Sequence, residues 1–273
     1  MSAIIGHPLG RAIVTVVVLI WALRLYSYLR TERRSRGGWQ DFLAFMSIGT
    51  LTPHLVYSRS RSSTDQHIGL ELARVGIGSA IAYLGFIFAR QLLMTDAAKQ
   101  SWLVNHLLLL GGFVVVMQSA GHAMLGAWRL MGLRAPRPIA HRILLSRTPA
   151  DFWRRWSWSM HLWLYRYVYL PAGGSGRFAR AVLLTFFVSA VLHELIVLGG
   201  FGRVTGHQSA YFMMNGLGVL ASPRLERLAT SGLIGNVLAR TITITFLAAT
   251  APLMFATFQW VLPVYHRPGW LAW

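Results

Sequence analysis

The 273-residue chain contains no cysteine. That excludes disulfides, thiolate nucleophiles, cysteine zinc sites and thioether haem attachment. Acidic residues are nearly as scarce: 8 Asp and Glu stand against 26 Lys and Arg, a formal charge of +18. Lys99 is the only lysine, so the positive charge is almost entirely guanidinium. Charged residues of both signs make up 12% of the chain, about half the share in a soluble domain. A soluble globule of this size could not cover its surface with so little charge. Also missing are a GxSxG elbow, a Walker loop, a GxGxxG turn and an HExxH pair. These absences remove the usual signatures of serine hydrolases, nucleotide binders and zincins. There is no internal repeat, and no small-residue cleavage site follows Arg11, so no cleaved leader is expected.

What the chain has in excess is apolar. Hydrophobic residues make up 55% and the mean hydropathy is +0.49, so an integral membrane protein is expected. Apolar runs cover residues 12–29, 71–93, 100–128, 181–202, 204–223 and 241–265. Each approaches the ~20 helical residues that a ~30 Å hydrocarbon core requires. They are too long for barrel strands and lack their alternation. A weaker stretch at 42–58 holds Pro53 and His54 and reads as re-entrant. The expected fold is therefore all-α, a polytopic bundle of about 6–8 spans forming one domain over 1–273. Arg24 interrupts the first run and is expected to snorkel to the interface.

The arginine-rich segments 30–36, 129–155 and 224–227 fall on one side under the positive-inside rule. Spacers 95–99 and 203–207 then face the other side. Two readings of the arginines stay open: contact with anionic lipid headgroups and binding of a phosphorylated substrate. Nucleic acid is not an expected partner, because the arginines lie between apolar runs rather than on one soluble face.

Residues 148–171 are unlike an ordinary loop. Thr148 suits an N-cap, Pro149 the first helical position and Asp151 the first turn. Pro171, Gly173 and Gly174 end the helix. Trp153, Trp156, Met160, Trp163 and Tyr167 recur at spacings of 3 and 4, which predicts one aromatic stripe along an amphipathic interfacial helix. Arg154, Ser157 and His161 cluster on a neighbouring face. Further on, His193 lies ~20 Å along a helix from Arg180, within hydrocarbon depth, with Glu194 beside it. Ionisable residues at that depth usually face a bundle interior or a cavity. A neutral histidine making one interhelical hydrogen bond explains such a residue; so does a general base.

Three groups of residues carry a family resemblance. They are Asp151 to Trp156 (Asp, Phe, Trp, Arg, Arg, Trp), Tyr167 to Gly174 (Tyr, Val, Tyr, Leu, Pro, Ala, Gly, Gly) and Ser189 to Glu194 (Ser, Ala, Val, Leu, His, Glu). Together they resemble the membrane-bound O-acyltransferase (MBOAT) family, over about 148–222. The first two look like bacterial alginate-acetylase-type members; the third is closer to the sterol, diacylglycerol and wax-ester branch. The resemblance implies a protein of a bacterial inner membrane. It also implies acyl transfer from a thioester donor, acyl-CoA or an acyl carrier protein, to a hydroxyl acceptor on a lipid, fatty alcohol or sugar, with no bound cofactor. The family's histidine falls on His193. Its second polar position, usually Asn, His or Asp, falls on Ser157, with His161 as the alternative. Arg154 and Arg155 are candidates for the donor's phosphates, and Trp153, Trp156 and Glu194 complete the expected substrate-binding set. Without cysteine there can be no acyl-cysteine intermediate, so direct transfer is expected. Two other classes remain open on the residues alone: a haem or quinone protein using His106, His122 or His193, and a transporter, although no inverted repeat is present.

Overall fold

The computed structural model describes residues 6–30, 39–47, 51, 68–131 and 137–260. Most of the arginine-rich segment 30–36, together with Pro53, His54 and residues 261–265 of the last apolar run, lies outside the described residues. The helices are α1 (Pro8–Arg30), α2 (Trp39–Ser47), α3 (Ile68–Leu93), α4 (Asp96–Gln100), α5 (Trp102–Leu130), α6 (Pro149–Arg155), α7 (Trp158–Leu164), α8 (Phe178–Phe201), α9 (His207–Ala229) and α10 (Leu233–Ala256).

Among the described residues, five stretches are long and apolar enough to cross a membrane: α1, α3, α5, Gly174–Phe201 and α10. The fold is all-α and polytopic. The run at 204–223 departs from the sequence expectation. Helix α9 continues through Pro223 to Ala229 and takes in Arg224, Glu226 and Arg227. Its buried face carries Gln208, Asn215 and Ser222, which protein rather than lipid must cover. It does so by packing between α8 and α10. There Val182, Phe186 and Ala190 of α8 meet Tyr211, Phe212 and Val219 of α9 and Leu253 of α10.

Helix α1 lies against α8. Arg11 donates from Nε and Nη2 to the Gly200 carbonyl at 3.0 and 2.9 Å. A Cβ on Gly200 would sit 2.9 Å from that of Ala12, so only glycine permits this approach. Arg24 does not snorkel: it is 4% exposed and donates from Nη1 to the Met46 carbonyl near the end of α2. A terminal carbonyl lacks a helical partner, and the guanidinium supplies one.

The segment at 148–171 is not one helix. Its start follows the sequence reading: Thr148 Oγ1 accepts the Asp151 N–H at 3.1 Å, and Pro149 opens the helix. Helix α6 then stops at Arg155. Trp156 is extended, and Ser157 adopts a left-handed conformation with φ +41° before α7 begins. The cause is a non-local pairing. Trp156 bridges antiparallel to Ala140, the Ser157 N–H donates to the Ile139 carbonyl at 2.8 Å, and the His141 N–H donates to the Arg155 carbonyl at 3.3 Å. After α7 the chain widens into a π-turn over Tyr165–Tyr169, of the kind often found at functional sites.

Candidate active site

His193 lies eight residues before the end of α8, ~12 Å along its axis. Its Nδ1 is 2.8 Å from the Ser189 carbonyl. A carbonyl only accepts, so Nδ1 carries the proton in the neutral ring and Nε2 holds the lone pair. Nε2 makes no hydrogen bond among the described residues. The ring rests on Phe212, with centroids 4.3 Å apart.

Phe212 begins a line of aromatic contacts into the broken helix pair. It meets Trp153 at 5.7 Å, Trp153 meets Phe152 at 5.4 Å, and Phe152 stacks on Trp156 at 5.9 Å. Beyond Trp156 the line continues to Phe113 of α5 and Phe255 of α10. Trp153 is also held by its polar edge: Nε1 donates to Asn215 Oδ1 at 3.2 Å. Asn215 is fully buried, and its Nδ2 donates to the Tyr211 carbonyl at 2.9 Å and to Thr250 Oγ1 at 3.4 Å. This one amide fastens α6, α9 and α10 together. Sequence reasoning overlooked it, although a lone asparagine in an uncharged run is the kind of residue that signals such a tie.

Trp153, Trp156 and His193 thus belong to one connected wall. Ser157 follows Trp156 at the α6–α7 break, and its hydroxyl caps nothing. His161, one turn into α7, keeps company with Tyr165 at 6.4 Å. Burial pushes its imidazole below the ordinary value, and Arg137 and Arg154 push the same way. Neither Ser157 nor His161 makes a hydrogen bond or a ring contact with His193 among the described residues.

Glu194 turns away from its neighbour. Its Oε2 accepts the Thr205 N–H at 3.2 Å and its Oε1 the Ser209 N–H at 3.1 Å. The carboxylate is therefore a cap, supplied from α8, for the start of α9, where Gly206 offers no side chain of its own. Both oxygens are committed to backbone, which differs from the substrate contact expected for this residue.

At the mouth of the α6–α7 pair, Asp151 holds Arg155 Nε at 3.0 Å and Arg154 Nη2 at 3.5 Å. The Arg154 side chain remains 62% exposed. Arg137, which sequence reasoning did not single out, donates from Nη2 to the Arg154 carbonyl at 2.6 Å. Two guanidiniums share the Asp151 carboxylate and a third lies on the Arg154 backbone, an excess of positive charge that favours anions. Of the remaining histidines, His106 is buried, stacks on Trp102 at 5.1 Å and lies with Nε2 2.9 Å from the Ala248 carbonyl, while His122 sits on an exposed face.

The model of the membrane-bound O-acyltransferase family matches residues 72–256. The chain belongs to this family. The match runs from α3 to the end of α10, well beyond the 148–222 stretch on which the resemblance first rested. Among curated proteins, this O-acyltransferase family member is similar to diacylglycerol O-acyltransferase 1-1 of Oryza sativa subsp. japonica, at 42% identity over 53 residues, 19% of this chain and 10% of that protein. Diacylglycerol O-acyltransferase 1 of Arabidopsis thaliana matches at 36% over 53 residues, with the same shares. A probable sterol O-acyltransferase 2 of Schizosaccharomyces pombe matches at 28% over 96 residues, 32% of this chain and 20% of that protein. The matched stretches thus span a tenth to a fifth of these relatives' length.

Proposed function

We propose that this chain is a membrane O-acyltransferase that moves an acyl group from a thioester, acyl-CoA or an acyl carrier protein, to the hydroxyl of a lipid acceptor. The observation that carries this reading is the state of His193. It is an intramembrane imidazole whose Nδ1 proton is tied to the Ser189 carbonyl, so Nε2 is the basic nitrogen. In the reaction, Nε2 takes the proton of the acceptor hydroxyl as its oxygen attacks the thioester carbonyl. The C–O bond forms, the C–S bond breaks, and the proton passes to the departing sulfur. Ser157, His161 or an indole N–H of the adjoining wall supplies the donor that the developing oxyanion needs. Arg137, Arg154 and Arg155 hold the phosphates that both donor types carry. The diacylglycerol and sterol O-acyltransferase relatives support a lipid hydroxyl over a sugar.

The test is His193→Gln, which keeps hydrogen-bonding capacity but cannot serve as a base. The acyl-transfer rate per folded molecule falls ~10²–10⁴-fold, the usual worth of a general base, while thioester binding persists. Near-normal turnover by a well-folded variant would refute the assignment.

A further inference from the structure

Helices α3 and α5 form a hairpin at the edge of the bundle, and α3 packs chiefly on α5. The two are in backbone contact. A Cβ on Gly78 would lie 2.8 Å from both the Ser119 carbonyl oxygen and the Ala123 nitrogen, and one on Gly126 would lie 2.7 Å from the Glu71 carbonyl oxygen. Such an approach through small residues is how helices associate inside a membrane. It leaves a crease between them, open to the lipid side.

The crease is not uniformly apolar. One end, about 360 Å³, is lined by Arg74 and Ile77 of α3 and by Gln118, Ser119 and His122 of α5. The side chains of Gln118, Ser119 and His122 make no hydrogen bond among the described residues. Arg74 lines the crease and pairs with Glu71 through Nη1 alone, which leaves its other N–H groups without a partner among the described residues. Beyond Ile81 the lining becomes apolar and runs along α3 alone, past Leu84 and Phe88 to Gln91, as an open groove of about 550 Å³.

The two ends have the polarity of a single lipid. Arg74 and His122 lie near the end of the hairpin that leads into the arginine-rich 137–155 loop. There the His141 imidazole is held below its ordinary value by burial, then by Arg142, Arg137, Arg155 and His122. The polar end therefore faces a cationic membrane surface. From Arg74 to Leu84 is ~15 Å of helix, half the ~30 Å hydrocarbon core and so the depth of one leaflet.

We infer that the α3–α5 crease seats an anionic phospholipid of the leaflet nearest Arg74. Its phosphate is held by Arg74, Gln118, Ser119 and His122, and one acyl chain lies along Ile77, Ile81 and Leu84. This site is separate from the His193 wall and does not depend on the proposed reaction. The occupant is identified by its phosphate, which matches the cationic and hydrogen-bonding lining, and by a chain that fits one leaflet's depth.

The experiment is native mass spectrometry of the whole protein released from nanodiscs of equimolar phosphatidylglycerol and phosphatidylcholine. Wild-type protein retains one phosphatidylglycerol, enriched at least tenfold over phosphatidylcholine. The variant Gln118→Leu/His122→Leu leaves the Arg74–Glu71 pair intact and loses that enrichment at unchanged melting temperature. Ser119→Ala weakens retention by a smaller factor and keeps the proposal testable should the double variant fail to fold. Three results would overturn the inference: no retained lipid, equal retention of both lipids, or a two-copy particle that the double variant splits into single copies. The last would mean that a second chain fills the crease.

Discussion

Ser157 is the residue at which the chain departs most sharply from what its neighbours dictate. A left-handed conformation is disfavoured for a side chain such as serine, whereas asparagine and glycine adopt it readily. The aromatic spacing through Trp156 and Met160 continues as if the helix did, which is why a single helix was expected. The break is imposed by Ile139 and Ala140, about seventeen residues upstream, and no local pattern reports such a pairing. His193, by contrast, was legible, because depth in a span follows from counting residues. We expect Ser157→Asn to keep the α6–α7 break and to retain measurable acyl transfer. Ser157→Gly should raise the melting temperature by relieving ~1 kcal/mol of strain while lowering kcat. If Ser157→Gly retains full kcat, the hydroxyl has no part in the reaction. Loss in His161→Ala instead would move the oxyanion donor one turn along α7.

At the scale of elements, the start of α6 was readable and the start of α9 was not. Thr148, Pro149 and Asp151 announce a helix N-terminus within four residues. The N-terminus of α9 has only Thr205, whose Oγ1 accepts the His207 N–H at 3.4 Å, as a local signal, and its main cap arrives from α8 through Glu194. An acidic side chain beside a buried histidine invites a catalytic reading, and only the positions of the Thr205 and Ser209 N–H groups reveal the other use. Glutamine at 194 can accept through one oxygen only, so Glu194→Gln leaves one of the two N–H groups without its acceptor, at ~1–3 kcal/mol. The expected outcome is a lower melting temperature with kcat and KM per folded molecule within about threefold of the parent, since the cost falls on folding rather than on the reaction. A large KM change at unchanged melting temperature would return Glu194 to the substrate.

Across the whole molecule, the charge has a direction. The described contacts put Arg137, Arg147, Arg154 and Arg155 together at one end of the bundle, joined there to α9 by the Ala150 N–H to Ser222 Oγ bond and to α10 by Thr243 Oγ1 to the Arg147 carbonyl. The opposite end is closed by Gln208 bonding to the Met254 carbonyl and to Thr257 Oγ1. That the 137–155 segment and the end of α9 share one end of the bundle follows from the order of the runs. The convergence of Arg137 on Arg154 does not, because it depends on the loop that breaks the α6–α7 helix. We expect Arg137→Gln/Arg154→Gln/Arg155→Gln to raise the thioester KM about tenfold or more with a smaller effect on kcat, the pattern of lost ground-state binding. Wild-type KM should rise with salt, and the triple variant should show a flatter dependence, because partly exposed charges are screened. A KM unmoved by all three changes would assign these arginines to lipid headgroups.

The bond from His193 Nδ1 to Ser189, within the same helix, also bears on proton supply. Under the proposed reaction the alcohol gives up one proton and the thiolate takes one, so each turnover returns the imidazole to the tautomer it started in. Nδ1 never needs to release its hydrogen, and no relay of waters to either membrane surface is required. A base buried in hydrocarbon can therefore work through many cycles without exchanging protons with the bulk phase. The turnover rate should then be indifferent to buffer concentration at fixed pH.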